Sequence, residues 1–196
     1  AGTVLTISSA NDHDYDARAI TNDGTVNWTG GRLRSGDNGS FTNHGSFNDQ
    51  VTAATDVNAD YGNGAATFTN ALGASYTKSG NALTRFYTVP FNNSGTVTVN
   101  AGTLQLNAGG TNSATGVFTT AAGALTLFSS SYAVADGSAL GGAGTYELAG
   151  GGLTVSGNVS VSTFNLTGGV LQGTQTFLNT QLNWSAGNWN GSGTTT

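Results

Sequence analysis

The chain has 196 residues, a formal net charge of −5 and only 8% charged residues, whereas glycine occupies 31 positions. In an ordinary soluble domain roughly a quarter of the residues are charged, so most of this surface is expected to be neutral and polar. With this acidic net charge, the protein lacks the basic surface that binding to a phosphate backbone requires, so we expect no nucleic-acid partner. Cysteine is absent, which excludes disulfides and thiol chemistry.

The apolar runs and the first residue of the chain bear on location and processing. No apolar run approaches the roughly 18 residues that a membrane helix needs, so we expect no membrane span in this segment. Position 1 is Ala1 rather than methionine, which fits a processed mature form or an excised fragment, and a removed signal peptide would be consistent with it.

We expect one domain over residues 1–196, with an N-terminal strand or cap region at 1–19 and stacked coils at 20–196. Residues 3–7 (TVLTI) form a strong β segment that suits the first coil or pairing with another chain. From residue 20 onward, an apolar anchor is followed two positions later by asparagine in Ile20-Thr21-Asn22, Phe41-Thr42-Asn43, Phe68-Thr69-Asn70 and Phe91-Asn92-Asn93.

The repeat continues without its asparagine, and its anchors recur at a spacing of roughly 18 to 28 residues, which is typical of a solenoid. Between anchors, apolar and polar residues alternate, which indicates strands, and no segment has a helical period. Short strands would also suit an antiparallel sandwich, but the repeat favours stacked coils. We predict an interior ladder of apolar anchors beside a ladder of asparagine amides, formed by Ile20, Phe41, Phe68, Phe91, Phe118, Tyr146, Phe164 and Leu182 with Asn22, Asn43, Asn70 and Asn93.

The fold predicted is therefore all-β, a single-stranded parallel β-helix (β-solenoid) of about eight irregular coils. Unequal spacing between anchors indicates turns of different length. Residues 48–66 and 107–117 are the predicted protruding loops.

The units at residues 91–106 (FNNSGTVTVNAGTLQL) and 187–194 (GNWNGSGT) resemble the repeats of bacterial autotransporter passengers and of filamentous-haemagglutinin-type adhesins. The resemblance covers residues 20–196. It implies a right-handed β-helix, secretion, and display on a bacterial cell surface or in an extracellular matrix. It implies no catalytic residues.

Two acidic clusters are candidates for calcium. Asp12, Asp14 and Asp16 alternate along an extended segment and would place carboxylates on one side, as would Asp56 and Asp60. Neither cluster matches an EF-hand loop, and solvated turns are the alternative interpretation. We expect no other cofactor.

A glycan-binding or glycan-cleaving site would need carboxylates and cations on one side of the rod. Every lysine and arginine lies in the first 85 residues, so such a site belongs to the N-terminal half. Its candidate residues are Asp14, Asp16, Arg18, Arg32 and Arg34. The tryptophans Trp28, Trp184 and Trp189 are either sugar-stacking or core residues.

The sequence therefore predicts a non-catalytic extracellular structural or adhesive solenoid rather than an enzyme. It would act as a segment of a cell-surface adhesin or as a fibre subunit that stacks end to end. Its partners would be copies of itself or adjoining repeats of a longer chain, and possible further partners are surface glycans. The alternative is a glycan-binding or glycan-cleaving β-helix that uses the charged N-terminal half.

Overall fold

The protein is a β-solenoid of stacked coils. The computed structural model describes residues 2–178 and 180–195. All the regular secondary structure of these residues consists of β-strands. Each strand pairs in parallel with the equivalent strand of the next coil, as Val4–Ile7 does with Thr25–Trp28. The predicted all-β parallel solenoid is confirmed, whereas its right-handedness stays a prediction.

Each coil contributes strands to three faces, which are called the first, second and third face in chain order. The first face consists of Val4–Ile7, Thr25–Trp28, Ser46–Asp49, Ser75–Lys78, Thr96–Val99, Val117–Thr120, Thr176–Phe177 and Thr194–Thr195. The second face consists of His13–Asp14, Leu33–Arg34, Thr55–Asn58, Leu83–Phe86, Thr103–Leu106, Leu125–Phe128 and Gln181–Trp184. Two long strands, Ala139–Leu148 and Asn158–Leu166, run through both of these faces.

The third face is a separate sheet of nine strands. Its strands are Ala19–Asn22, Ser40–Asn43, Thr67–Asn70, Phe91–Asn93, Gly110–Asn112, Tyr132–Val134, Gly152–Val155, Val170–Gly173 and Asn188–Trp189. Because each coil contributes one strand to this face, the nine strands correspond to nine coils, close to the eight predicted. Residues 4–19 supply the first two strands of the first coil, so this coil begins within the predicted cap region.

The core runs along the inside of the coils because apolar residues alternate with polar ones in most strands. In Ser46–Asp49, for example, Phe47 is buried while its neighbours Ser46 and Asn48 are partly exposed. A period of two places successive side chains on opposite sides of the strand. Stacking coils in register then aligns the inward residues into columns.

Glycine recurs at the corner between the third and first faces, where the preceding coil comes close. At Gly95, a Cβ atom would meet the backbone oxygens of Ala74 and Ala71. This crowding accounts for Gly24, Gly45 and Gly95, each two positions after an asparagine, whereas Ala74 occupies the equivalent position in the coil before Gly95.

The two predicted loops were only partly right. The strand Thr55–Asn58 lies within the 48–66 interval, and Gly110–Asn112 lies within the 107–117 interval. Gly110 replaces the apolar anchor in that coil, with φ of 136°, and a Cβ atom there would collide with the backbone of Phe91. The strand was missed because the pattern has no side chain at this position. No described residue belongs to a helix that is long and apolar enough to cross a membrane.

Candidate functional site

A ladder of buried asparagine amides runs along the corner where the third face ends. The Nδ2 atom of Asn22 donates to Oδ1 of Asn43 at 2.6 Å, and Asn43 donates to Asn70 at 2.8 Å. Asn70 donates to Asn93 at 2.8 Å, and Asn93 donates to Asn112 at 2.7 Å. The four predicted asparagines are therefore brought together, and a fifth extends the ladder.

The same amides also hold the turn at each corner. Asn43 Nδ2 donates to the carbonyl oxygen of Ser75 at 2.9 Å, and Asn93 Oδ1 accepts from the backbone N–H of Gly95 at 3.2 Å. Buried polar groups cost free energy unless they are hydrogen-bonded. The ladder meets this need by linking one coil to the next, so its chemistry is structural.

The predicted apolar anchors are divided among three columns rather than one. Phe41, Phe68 and Phe91 stack on the third face, with ring centroids 5.4 and 5.3 Å apart. Ile20 precedes them in register. Phe118 lies on the first face, and the second face holds Tyr146, Phe164 and Leu182.

The loss of the asparagine in later coils explains why the sequence pattern assigned these anchors to a single column. After Asn112, the register positions are taken by Val134, Val155 and Gly173, so the corner is no longer marked by an amide. Without that mark, an aromatic residue on one face cannot be distinguished from an aromatic residue on another. Asn112 itself was missed because glycine rather than an aromatic residue stands two positions before it.

Charged residues of the first three coils form a network on the outside of the second face. Arg32 binds Asp12 at 2.8 Å and Asp60 at 3.3 Å, and Arg34 binds Asp14 at 2.8 Å and Asp12 at 3.4 Å. The candidates Asp14, Arg32 and Arg34 are therefore brought together with Asp12. Each carboxylate faces a guanidinium, so the network largely neutralises itself.

This pairing opposes proton donation by the carboxylates. Hydrogen bonds from Arg34 hold the pKa of Asp14 below its usual value, and those from Arg32 do the same for the pKa of Asp12. A general acid at neutral pH needs a raised pKa instead. These two aspartates are therefore poorly suited to the general-acid role of a glycosidase.

Asp16 lies apart from the network, beside Asp37. Desolvation raises the pKa of Asp16, and the neighbouring Asp37 carboxylate adds to this effect. Asp37 Oδ1 accepts from the backbone N–H of Asn63 at 2.6 Å. The predicted triplet Asp12, Asp14 and Asp16 is thus split between two environments, and no group of three metal-ligating side chains occurs among the described residues. Calcium binding stays a prediction.

A second ion pair lies further along the same face. Arg85 binds Asp56 at 2.8 Å, and its guanidinium lies 4.4 Å from the ring centroid of Tyr87. Tyr61 stands in the same relation to Arg34 at 4.8 Å. Both tyrosines are more than two-fifths exposed, so they present aromatic rings to solvent.

The tryptophans and histidines have different environments. Trp28 is fully buried and donates through Nε1 to the carbonyl oxygens of Gly30 and Gly31, which excludes sugar stacking. Trp184 is 58% exposed at the last coil, in edge contact with Trp189. His44 binds Asp23 on the surface.

No protein-family profile matches the chain, and the comparisons with curated proteins and with solved structures found no match either.

Proposed function

We propose that the protein is a non-catalytic extracellular solenoid with a structural or adhesive role, either as a segment of a bacterial surface adhesin or as an end-to-end fibre subunit. The observation that supports this role most strongly is the buried amide ladder from Asn22 to Asn112. Its side chains link successive coils, and their amide groups are engaged in hydrogen bonds within the protein. The mutually neutralised charges on the second face agree with it.

The repeat style adds a second line of support. Units such as residues 91–106 resemble those of autotransporter passengers and filamentous-haemagglutinin-type adhesins, which are right-handed, secreted and displayed on bacterial surfaces. The stacked coils are consistent with such repeats. We extend the resemblance to location and handedness as part of this proposal.

The partner in this proposal is another coil. In the first coil Val4 is 59% exposed and Leu5 is 42% exposed, although both belong to a strand. A strand edge with apolar side chains favours pairing with a further strand. A second copy or an adjoining repeat of a longer chain would cover this end in the same way.

Electron microscopy with sedimentation velocity, over a concentration series with and without calcium, tests the proposal. A fibre subunit forms filaments of constant width that lengthen with concentration, whereas an adhesin segment sediments as an elongated monomer. Compact particles with a frictional ratio typical of a globular protein would overturn both forms. A change on adding calcium would support the calcium prediction.

The exposed tyrosines favour one alternative, a glycan-binding or glycan-cleaving site on the second face. A groove of about 430 Å³ runs beside Asp12, Arg32 and Asp56, close to the charged network. Glycan-array binding and reducing-sugar release would test this alternative, with the variants Tyr61→Ala and Tyr87→Ala. The variant Leu72→Ala, at an exposed apolar residue outside the second face, is the control.

A further inference from the structure

The single lysine of this chain lies in the core. The four arginines are the other residues with a permanent positive charge, and three of them form ion pairs at the surface. Lys78, in contrast, has no exposed surface. A fully buried lysine is rare unless it is paired, so its surroundings need a physical explanation.

Lys78 faces a buried carboxylate of the preceding coil. Its Nζ atom lies 3.7 Å from Oδ2 of Asp49, which is also fully buried, and donates to Oγ1 of Thr84 at 3.0 Å. The hydroxyl of Tyr76 donates to the same Oδ2 atom at 2.8 Å. The backbone N–H of Val51 donates to Oδ1 at 3.3 Å. The two carboxylate oxygens therefore have different donors.

The position itself does not require a charge. In register with Asp49 and Lys78 lie Trp28 on one side and Val99 and Thr120 on the other, all neutral. Removing two ions from water is costly, and apolar residues in place of a buried ion pair are often neutral or stabilising. Burial also lowers the pKa of Lys78, which favours the uncharged amine, the nucleophilic form.

We propose that Lys78 and Asp49 react with each other to form an intramolecular amide bond. One proton passes from Nζ to Oδ2, which gives a neutral amine and a neutral carboxylic acid. The Nζ–Cγ bond then forms and the Cγ–Oδ2 bond breaks. A second Nζ proton passes to the departing Oδ2, which the Tyr76 hydroxyl holds by its hydrogen bond, so that one water leaves, and Oδ1 remains as the amide oxygen on the Val51 N–H.

The proposed reaction explains why this buried cation is a lysine rather than an arginine. Arginine stays protonated in proteins and is a poor nucleophile, whereas a desolvated lysine amine reacts with acyl carbons. The bond would join the strands Ser46–Asp49 and Ser75–Lys78, which are separated by the longest coil of the early repeats. Because cysteine is absent, a disulfide cannot join these strands, whereas an amide between lysine and aspartate can.

The intact mass of the folded, purified protein, measured after denaturation, tests the proposal. We expect the mass to be lower than the sequence mass by one water molecule. Trypsin should then leave residues 35–85 as one peptide that also lacks one water, because a modified lysine is not cleaved. An unreacted chain instead gives 35–78 and 79–85, and its lysine accepts an amine-reactive label after denaturation. That result would overturn the proposal.

The peptide map also separates other routes to water loss. Cyclisation at the Asp–Gly sequences would place the missing mass in residues 19–32, which contain Asp23, or in 86–196, which contain Asp136. Lys78→Arg and Asp49→Ala should have the full sequence mass. Arg34→Lys is a matched control because it sets a second amine beside the exposed Asp14, where we expect no second water loss. If the variants do not fold, the wild-type map still decides the question.

Discussion

At the scale of single residues, Asn70 occupies the middle of the amide ladder and has no exposed surface. The change Asn70→Ala removes its bonds to Asn43, Asn93 and the carbonyl of Thr96. Buried groups that lose their partners cost about 1 to 3 kcal/mol, so we expect the free energy of unfolding to fall by about 2 to 3 kcal/mol. Urea denaturation measures this change.

Asn92 provides the matched control for Asn70. It belongs to the same face, points outward, and accepts from Thr111 at 3.1 Å on the surface. Asn92→Ala should cost less than about 0.5 kcal/mol, as surface changes usually do. Equal losses for the two variants would contradict the structural role of the ladder.

The charged network predicts a pKa change at one carboxylate. In Arg34→Gln, the pKa of Asp14 should rise toward its ordinary value, because hydrogen bonds from Arg34 are the main cause of its lowering. A lowered pKa stabilises the fold above the ordinary pKa of aspartate, and this stabilisation is lost as the pH falls through the lower folded value. Carboxyl carbon NMR measures the titration.

Arg85→Gln is the control for this titration, since Arg85 pairs with Asp56 and not with Asp14. An unchanged pKa of Asp14 in Arg34→Gln, or an equal change in Arg85→Gln, would contradict the pairing.

Sequence patterns predicted some of these residues and missed others. Asn22, Asn43, Asn70 and Asn93 were identified because each follows an apolar anchor, whereas Asn112 follows Gly110. The pairing of Arg34 with Asp14 depends on which residues of successive coils lie in register, and coil length is unequal. Lys78 was not identified although the alternation Ser-Tyr-Thr-Lys places it on the same side as Tyr76, because lysine is rarely buried.

At the scale of strands, the aromatic column of the third face holds neighbouring coils together. Phe68 is fully buried between Phe41 and Phe91, with rings nearly parallel to it, and it contacts Phe47 edge-on. Phe68→Ala should lower the free energy of unfolding by about 3 to 5 kcal/mol, because it removes a large buried side chain and leaves a cavity. Guanidinium denaturation measures the loss.

Leu72→Ala is the control for Phe68→Ala. Leu72 is 71% exposed on a turn that follows the same strand. Its truncation should cost less than about 0.5 kcal/mol. A loss below about 1 kcal/mol at Phe68 would show that the column contributes little to stability.

Strand type was more predictable than strand position. A period of two identified strands such as Thr96–Val99 and Thr103–Leu106. It did not assign them to faces, because every face has the same period and the Asn–Gly corner is lost in later coils. The anchors Phe118 and Tyr146 were therefore placed in one ladder although they lie on different faces.

At the scale of the whole molecule, nine coils spaced by the distance between parallel strands give a rod about 40 Å long. Each coil contacts mainly its neighbours, so stability is expected to arise along the whole rod rather than in one compact centre. The repeat predicted this architecture because its recurring anchors need a regular stack.

Native-state hydrogen exchange, resolved by residue, tests this account most directly. We expect slow exchange in the strands of all three faces from the second to the eighth coil, with faster exchange in the end coils and at residues 59–66. Parallel strand pairing continues from coil to coil beyond the end of the amide ladder, and it predicts this uniform protection. Protection confined to the charged coils before residue 86, with fast exchange in Leu125–Phe128 and Gly152–Val155, would contradict a continuous structural rod.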